Sequence, residues 1–168
     1  CRLWSRRMKV REKQLNSKMC IICGMDNDLG VKAQFYAMED SSIMATFRFR
    51  PEHQSYPGRV HGGMITAMLD ELAGRAYWCL DPSVYAVTMS LETKFRKPVP
   101  YDADLIGWGK VTKDSGKFYV ADAEIRDKAG NVLANATVKY IKLPPKTISE
   151  ADPRDEMVYL LSDDVTEL

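Results

Sequence analysis

The stretch GRVHGGMITAMLDELAG, residues 58–74, decides the architecture. Its apolar residues Ile65, Met68, Leu69 and Leu72, continued by Ala76 and with Met64 on the margin, recur at helical spacing and share one stripe. Asp70 falls almost opposite that stripe. Thr66, Ala67, Ala73 and Gly74 on its side are small and Tyr77 is the bulky neighbour, an arrangement that lets another chain or a ligand come close. Glu71 and Arg75 stand four apart and read as a modest surface ion pair worth about 0.2–0.5 kcal/mol. At the mouth of the helix, Gly62 and Gly63 follow His61. A helix N-terminus carries unpaired N–H groups and about half a positive charge, and glycine puts no Cβ between them and an approaching oxygen. A bare Gly-Gly reads as a turn; joined to His61 and Asp70, it reads as an oxyanion site.

Strand patterns flank this helix. In SIMATFRF, Ile43, Ala45, Phe47 and Phe49 alternate with Met44, Thr46 and Arg48, and KAQFYAM before it reads as the hairpin partner. Downstream, Tyr85, Val87, Met89, Leu91 and Phe95 are expected on one face, with Ala86, Thr88, Ser90, Glu92, Lys94 and Arg96 on the other, until PVP ends the run. Three further extended runs, around 103–112, 117–127 and 132–142, are separated by KDSG and DKAGN. The expected order is two strands, one helix and four strands in an antiparallel meander. One helix for about six strands predicts an α+β fold, a single antiparallel sheet wrapped around one long central helix.

A chain of 168 residues with 45% apolar content suits one domain with tails, and a formal charge of +1, from 24 basic and 23 acidic residues, gives no global field for nucleic acid or an anionic membrane. No apolar run is long enough to span a bilayer and no secretory signal pattern is present, so the expected location is the cytoplasm, with the four cysteines reduced. CIIC at 20–23 could be half of a zinc site, but no second CxxC or CxxH supplies the other ligands, and no metal is expected. Cys79 is expected to pack near the helix end. Residues 1–18 are basic and 144–168 become acidic after PPK, so both read as extensions flanking a domain at 19–143.

PGRVHGGMITAMLDELAG followed by VTMSLETKFRKPVP resembles the hotdog-fold acyl-CoA thioesterases of the PaaI-like group, over roughly residues 20–142, and CIICGMDNDLGVKAQF is similar to a leader in one bacterial branch of that group. The resemblance implies a hotdog fold, a homodimer with a continuous sheet or a homotetramer, and acyl-CoA hydrolysis. It implies that the Gly62 amide polarises the thioester carbonyl, that Asp70 acts as general base or nucleophile, that Thr88 helps hold the water or the carboxylate, and that His61 supports the loop. It also implies a site shared between subunits, Asp70 from one and Gly62 from the other. Many relatives carry asparagine where this chain has Ser55, beside His53 and Gln54; any of these three could take over its orienting role.

The substrate is less legible than the reaction. Lys94, Arg96 and Lys97 could meet the phosphates of coenzyme A, and Gly63, His53 and Ser55 complete the candidate binding set. Tyr77, Tyr85 and Met89 could line an acyl or aryl pocket. No cofactor is expected beyond the coenzyme A of the substrate itself. A hotdog dehydratase, a non-catalytic acyl-CoA-binding protein and a scaffold protein stand as alternatives; the dehydratases pair histidine with an acid in a different loop and helix arrangement.

Overall fold

The structure is a computed structural model that describes residues 7–168; residues 1–6 of the expected N-terminal extension lie outside the described residues. The described chain opens with two short strands, β1 (Val10–Lys13) and β2 (Asn16–Ser17). The expected hairpin follows as β3 (Gln34–Met38) and β4 (Ile43–Phe47), and the long helix is α1 (Gly62–Trp78). After it come β5 (Ala86–Phe95), β6 (Leu105–Asp114), β7 (Phe118–Asp127) and β8 (Val132–Lys142), then a single-turn helix α2 (Pro145–Ile148) and the strand β9 (Met157–Tyr159). Seven strands form one antiparallel sheet in the order β1-β3-β4-β6-β7-β8-β5, and β2 pairs with β9 in a separate ribbon. One long helix packed on an antiparallel sheet is the hotdog arrangement. No helix among the described residues is long and apolar enough to cross a membrane.

The expected meander of four strands is a meander of three. β5 does not pair with β6 but lies beyond β8 at the sheet edge. Residues 96–104, which join β5 to β6, contain Pro98 and Pro100 and are too long and too stiff for a tight hairpin. The other turns are short. Gly116 and Gly130, with φ of 79° and 82°, take the left-handed conformation that the β6–β7 and β7–β8 connections require.

The apolar stripe of α1 faces the sheet, with Met68, Leu69 and Leu72 fully buried among Phe35, Ile43, Leu105 and Ile125. Two glycines of β6 set how closely the helix sits. A Cβ on Gly107 would lie 2.7 Å from Leu72 Cδ1, and one on Gly109 would lie 2.9 Å from the Leu72 carbonyl oxygen. The flanks are tied to the domain: β1 extends the sheet beside β3, and the Met8 N–H donates to the Leu168 carbonyl at 2.8 Å. Part of the N-terminal flank also covers α1, which corrects the reading of Glu71 and Arg75 as a surface pair. Arg75 is 2% exposed; its Nε donates to Glu71 at 2.7 Å, its Nη1 reaches the Leu15 carbonyl at 3.0 Å, and its guanidinium lies over the Phe35 ring.

β5 carries a bulge that overturns the expected faces of this strand. Thr88 pairs with Tyr140, but Ser90 pairs with Lys139, so Met89 is an extra residue. Leu91, Thr93 and Phe95 oppose Val138, Ala136 and Ala134 on the helix side, and the bulge brings Thr88 to that same side. Strict alternation would have sent it outward with Ser90 and Glu92.

Candidate active site

His61 begins the site as the N-cap of α1, with extended backbone and its Nδ1 accepting the Gly63 N–H at 2.9 Å. A Cβ on Gly63 would press to 3.0 Å from that same Nδ1, so glycine here leaves room for the cap. The Gly62 N–H meets no acceptor among the described residues, and the edge of the Phe95 ring lies beside it. The free donor opens on a groove of about 490 Å³ lined by Ser55, Arg59, Gly62, Phe95, Arg96 and Lys97, among others. Arg59, Arg96 and Lys97 thus line the same groove as an unpaired amide at the positive end of a helix, an environment suited to an anionic or polarised oxygen.

Two turns further along, Asp70 is half-buried and held by two hydroxyls. Thr88 Oγ1 lies 2.9 and 3.1 Å from the two carboxylate oxygens. Tyr140 Oη lies 2.8 Å from Oδ1 and 2.7 Å from the Asp70 carbonyl, so its single proton is shared between them. Oδ2 is left the less occupied oxygen, with lone pairs available to take a proton. Tyr140 is itself fixed, stacked on Tyr119 at 4.6 Å with the rings 14° apart. Burial and the Asp70 charge push the Tyr140 hydroxyl well above the ordinary tyrosine range, so it remains a donor.

Sequence reasoning missed Tyr140. It lay unremarked within the extended run 132–142, and its pairing with Thr88 is a property of the sheet. The small residues beside Asp70 also have a use within the chain: Tyr119 Oη approaches the Gly74 carbonyl at 3.4 Å, and a Cβ on Gly74 would rest against Tyr140 at 3.6 Å. Ala73 is fully buried.

The other expected site residues divide. Ser55, Arg96 and Lys97 share the groove with Gly62, although Arg96 also donates to Asn135 at 3.0 Å. Lys94 lies outside the groove and pairs with Glu92. His53 is 4% exposed: its Nδ1 accepts the Arg50 N–H at 3.1 Å, leaving Nε2 to donate to the Leu29 carbonyl at 2.6 Å, while its own carbonyl accepts the His61 N–H. With both nitrogens engaged, the ring braces the loop. Gln54 Oε1 accepts from Tyr101, whose hydroxyl also accepts the Gly58 N–H. The expected pocket trio does not converge, since Tyr77 is buried and donates to Asp114, Met89 is exposed, and Tyr85 lines a separate cavity with Trp78. Cys79 is buried near the end of α1, as expected.

Gly62 and Asp70 of one chain do not meet at one carbonyl. Eight residues of α-helix separate them by about 12 Å along the axis.

Comparison with known proteins leads in the same direction. Residues 57–134 match the family model described as the Thioesterase superfamily. The acyl-coenzyme A thioesterase THEM4 of Xenopus laevis is 29% identical over 143 residues, covering 82% of this chain and 60% of that protein, so the chain spans less than two thirds of this relative's length. A solved thioesterase superfamily protein superposes with a TM-score of 0.67 at 25% identity, covering 73% of this chain and 59% of that one. The PaaI protein of E. coli has the same fold, with a TM-score of 0.61 at 17% identity over 68% of this chain and 81% of its own. The sheet order and these matches agree: residues 57–134 are similar to the Thioesterase superfamily, and the fold is one that solved proteins of that superfamily share.

Proposed function

We propose that this chain hydrolyses acyl-CoA thioesters, with the Asp70 carboxylate as general base or nucleophile and the Gly62 N–H of a second copy as oxyanion donor. The observation that carries the reading is a half-buried carboxylate fixed by the hydroxyls of Thr88 and Tyr140, with one oxygen left to accept. As general base, Asp70 takes a proton from water while the water oxygen attacks the thioester carbon. The carbonyl oxygen becomes an oxyanion at the Gly62 amide, the C–S bond then breaks, and the coenzyme A thiolate leaves and is protonated. As nucleophile, a carboxylate oxygen attacks the thioester carbon, the C–S bond breaks and the coenzyme A thiolate leaves, and water then cleaves the resulting anhydride to release the acid and restore Asp70. A thiolate leaves readily, so a carboxylate and an amide donor suffice without a serine or cysteine nucleophile. An oxyanion donor of this kind lowers the barrier by about 2.7–4 kcal/mol.

Two features support the shared site: the span of α1 between Gly62 and Asp70, and the ten-residue edge strand β5, which exposes Val87, Met89 and Phe95. An apolar edge of that length invites pairing with another copy. Arg59, Arg96 and Lys97 beside Gly62 suit the phosphates of coenzyme A, whereas Lys94 is committed to Glu92. The free thiols of Cys20, Cys23 and Cys79 suit a reducing compartment such as the cytoplasm. A panel of acyl-CoA substrates read by free-thiol release, on wild type and Asp70→Asn, tests the reading. Turnover abolished in a folded Asp70→Asn variant supports it; near-normal kcat on the best substrate refutes the mechanism, and binding without hydrolysis by wild type favours the acyl-CoA-binding alternative.

A further inference from the structure

We propose that Cys20, Cys23 and Glu71 form a zinc site that fastens the N-terminal turn to α1, one residue beyond Asp70. The sequence offers only the CxxC pair; the fold supplies the third ligand. The Gly24 N–H donates to the Cys20 carbonyl at 2.7 Å, and a Cβ on Gly24 would lie 2.4 Å from that oxygen, so the chain doubles back where only glycine fits. This turn brings both sulfurs to Glu71, and one ligand atom from each of the three residues falls within 4.8 Å of the others. A tetrahedral site with Zn–S bonds of about 2.3 Å sets its ligand atoms about 3.8 Å apart. Cys20 Sγ and Glu71 Oε2 are already 3.7 Å apart.

The surroundings fit an ion with thiolate ligands. The Ile22 N–H points at Cys20 Sγ at 3.3 Å and Ser17 Oγ lies 3.2 Å from Cys23 Sγ, contacts that support anionic sulfur. Glu71 Oε1 is held by Arg75 Nε at 2.7 Å, leaving Oε2 to face the sulfurs, the usual division between an outer hydrogen bond and an inner ligand atom. Arg75 adds an independent sign. It is buried and bonded to Glu71, its Nη2 meets no nitrogen or oxygen acceptor among the described residues, and Cys23 is the other group its guanidinium faces. Two thiolates and a carboxylate carry three negative charges, which a zinc ion and Arg75 balance in full, and an anionic Cys23 sulfur is a stronger acceptor for this guanidinium than a neutral thiol. Thiolate ligands select zinc over magnesium or calcium. Cys20 and Glu71 are half-buried, which gives the ion a way in and leaves the fourth position to water.

The test uses the full chain, reduced, stripped with a chelator and titrated with Co²⁺ and then Zn²⁺. Expected are one equivalent of cobalt with a near-ultraviolet thiolate-to-cobalt band, its displacement by one equivalent of zinc, and loss of the band in Cys20→Ser/Cys23→Ser. Glu71→Gln keeps an oxygen for Arg75, so the fold is retained, and it should weaken metal binding by at least about tenfold, the level at which outer-shell changes begin. Absence of the band in wild type, equal metal uptake by the double serine variant, or a Cys20–Cys23 disulfide in place of bound metal would overturn the proposal. Metal uptake is read without turnover, so failure of the thioesterase reading leaves this test intact.

Discussion

Thr88 and Tyr140 are direct cross-strand partners on β5 and β8, and both hydroxyls reach the same carboxylate of Asp70. The contact is made within one chain. Thr88→Val should lower kcat by about 10 to 1000-fold, the cost of one positioned hydrogen bond of about 1.4–4 kcal/mol. Thr88→Ser should recover most of it, and the melting temperature should barely move. Equal rates for all three proteins would return Thr88 to an ordinary strand residue.

Tyr140→Phe removes the second donor and should cost about 1.5–3 kcal/mol where a charged acceptor loses its partner, with kcat reduced about tenfold or more and KM little changed. The same tyrosine gives stability a pH dependence. Its folded pKa is raised, so the native state binds the proton more tightly, and stability is full below about pH 10 and falls as pH rises above it. Chemical denaturation followed from pH 8 to 11 should show a shallower fall for Tyr140→Phe; parallel curves would remove Tyr140 from the account.

Deletion of Met89 takes out the bulge and leaves the pairs Thr88–Tyr140 and Ser90–Lys139 in plain alternation, with Thr88 still on the helix side of β5. Activity should therefore stay well above that of Thr88→Val, while circular dichroism still reports a folded sheet. A deletion variant as inactive as Thr88→Val would show that the bulge itself, and not only the face it gives Thr88, sets the site.

The two-chain site can be tested by complementation. His61 already has the extended backbone that a following proline requires, and proline is favoured at the first helical position, so Gly62→Pro removes the N–H while keeping the helix. Gly62→Pro and Asp70→Asn should each be inactive alone. Co-refolded, they should regain activity, because a mixed dimer holds one site with both native groups. A mixture as inactive as its components, with mixed dimers present by mass spectrometry, would place the site within one chain or elsewhere.

Gly107→Ala and Gly109→Ala should both destabilise, by about 1–3 kcal/mol as overpacked positions, with Gly109 the worse. The first clash is with the flexible end of Leu72 and the second with its carbonyl oxygen. Leu72→Ala should therefore offset part of the Gly107→Ala cost and little of the Gly109→Ala cost, measured as a double-mutant cycle in urea. Equal coupling at both positions would contradict this account of the helix seat.

The helix and the strand runs were legible because their periodicities are local: a stripe at every third or fourth residue and alternation at every second. The catalytic reading of Gly62, Asp70 and Thr88 came from a resemblance, with the helix face of Asp70 as its physical support. What the sequence hid is set by pairing across the sheet. The position of β5 beyond β8 depends on a connection whose path no periodicity reports, and the bulge at Met89 leaves no compositional mark because a valine, a threonine and a methionine suit either face. Arg75 read as exposed because the segment that buries it, around Gln14 and Leu15, lies some sixty positions away in the chain. Cys20 is likewise remote from Glu71, 51 positions away in the chain.

Leu72 rests on β6 near the midpoint of α1, and the two glycines beneath it act as a fulcrum under a stiff rod. One end of the rod holds the Gly62 amide and the other is fastened by Cys79, Arg75 and the N-terminal turn. An atom added at the fulcrum would tilt the rod, lift Asp70 from the two hydroxyls and shift the Gly62 amide with it. If the site is shared between two chains as proposed, two missing methyl groups on β6 thus calibrate both halves of the chemistry at once, and a defect there would be felt at two sites for every chain that carries it.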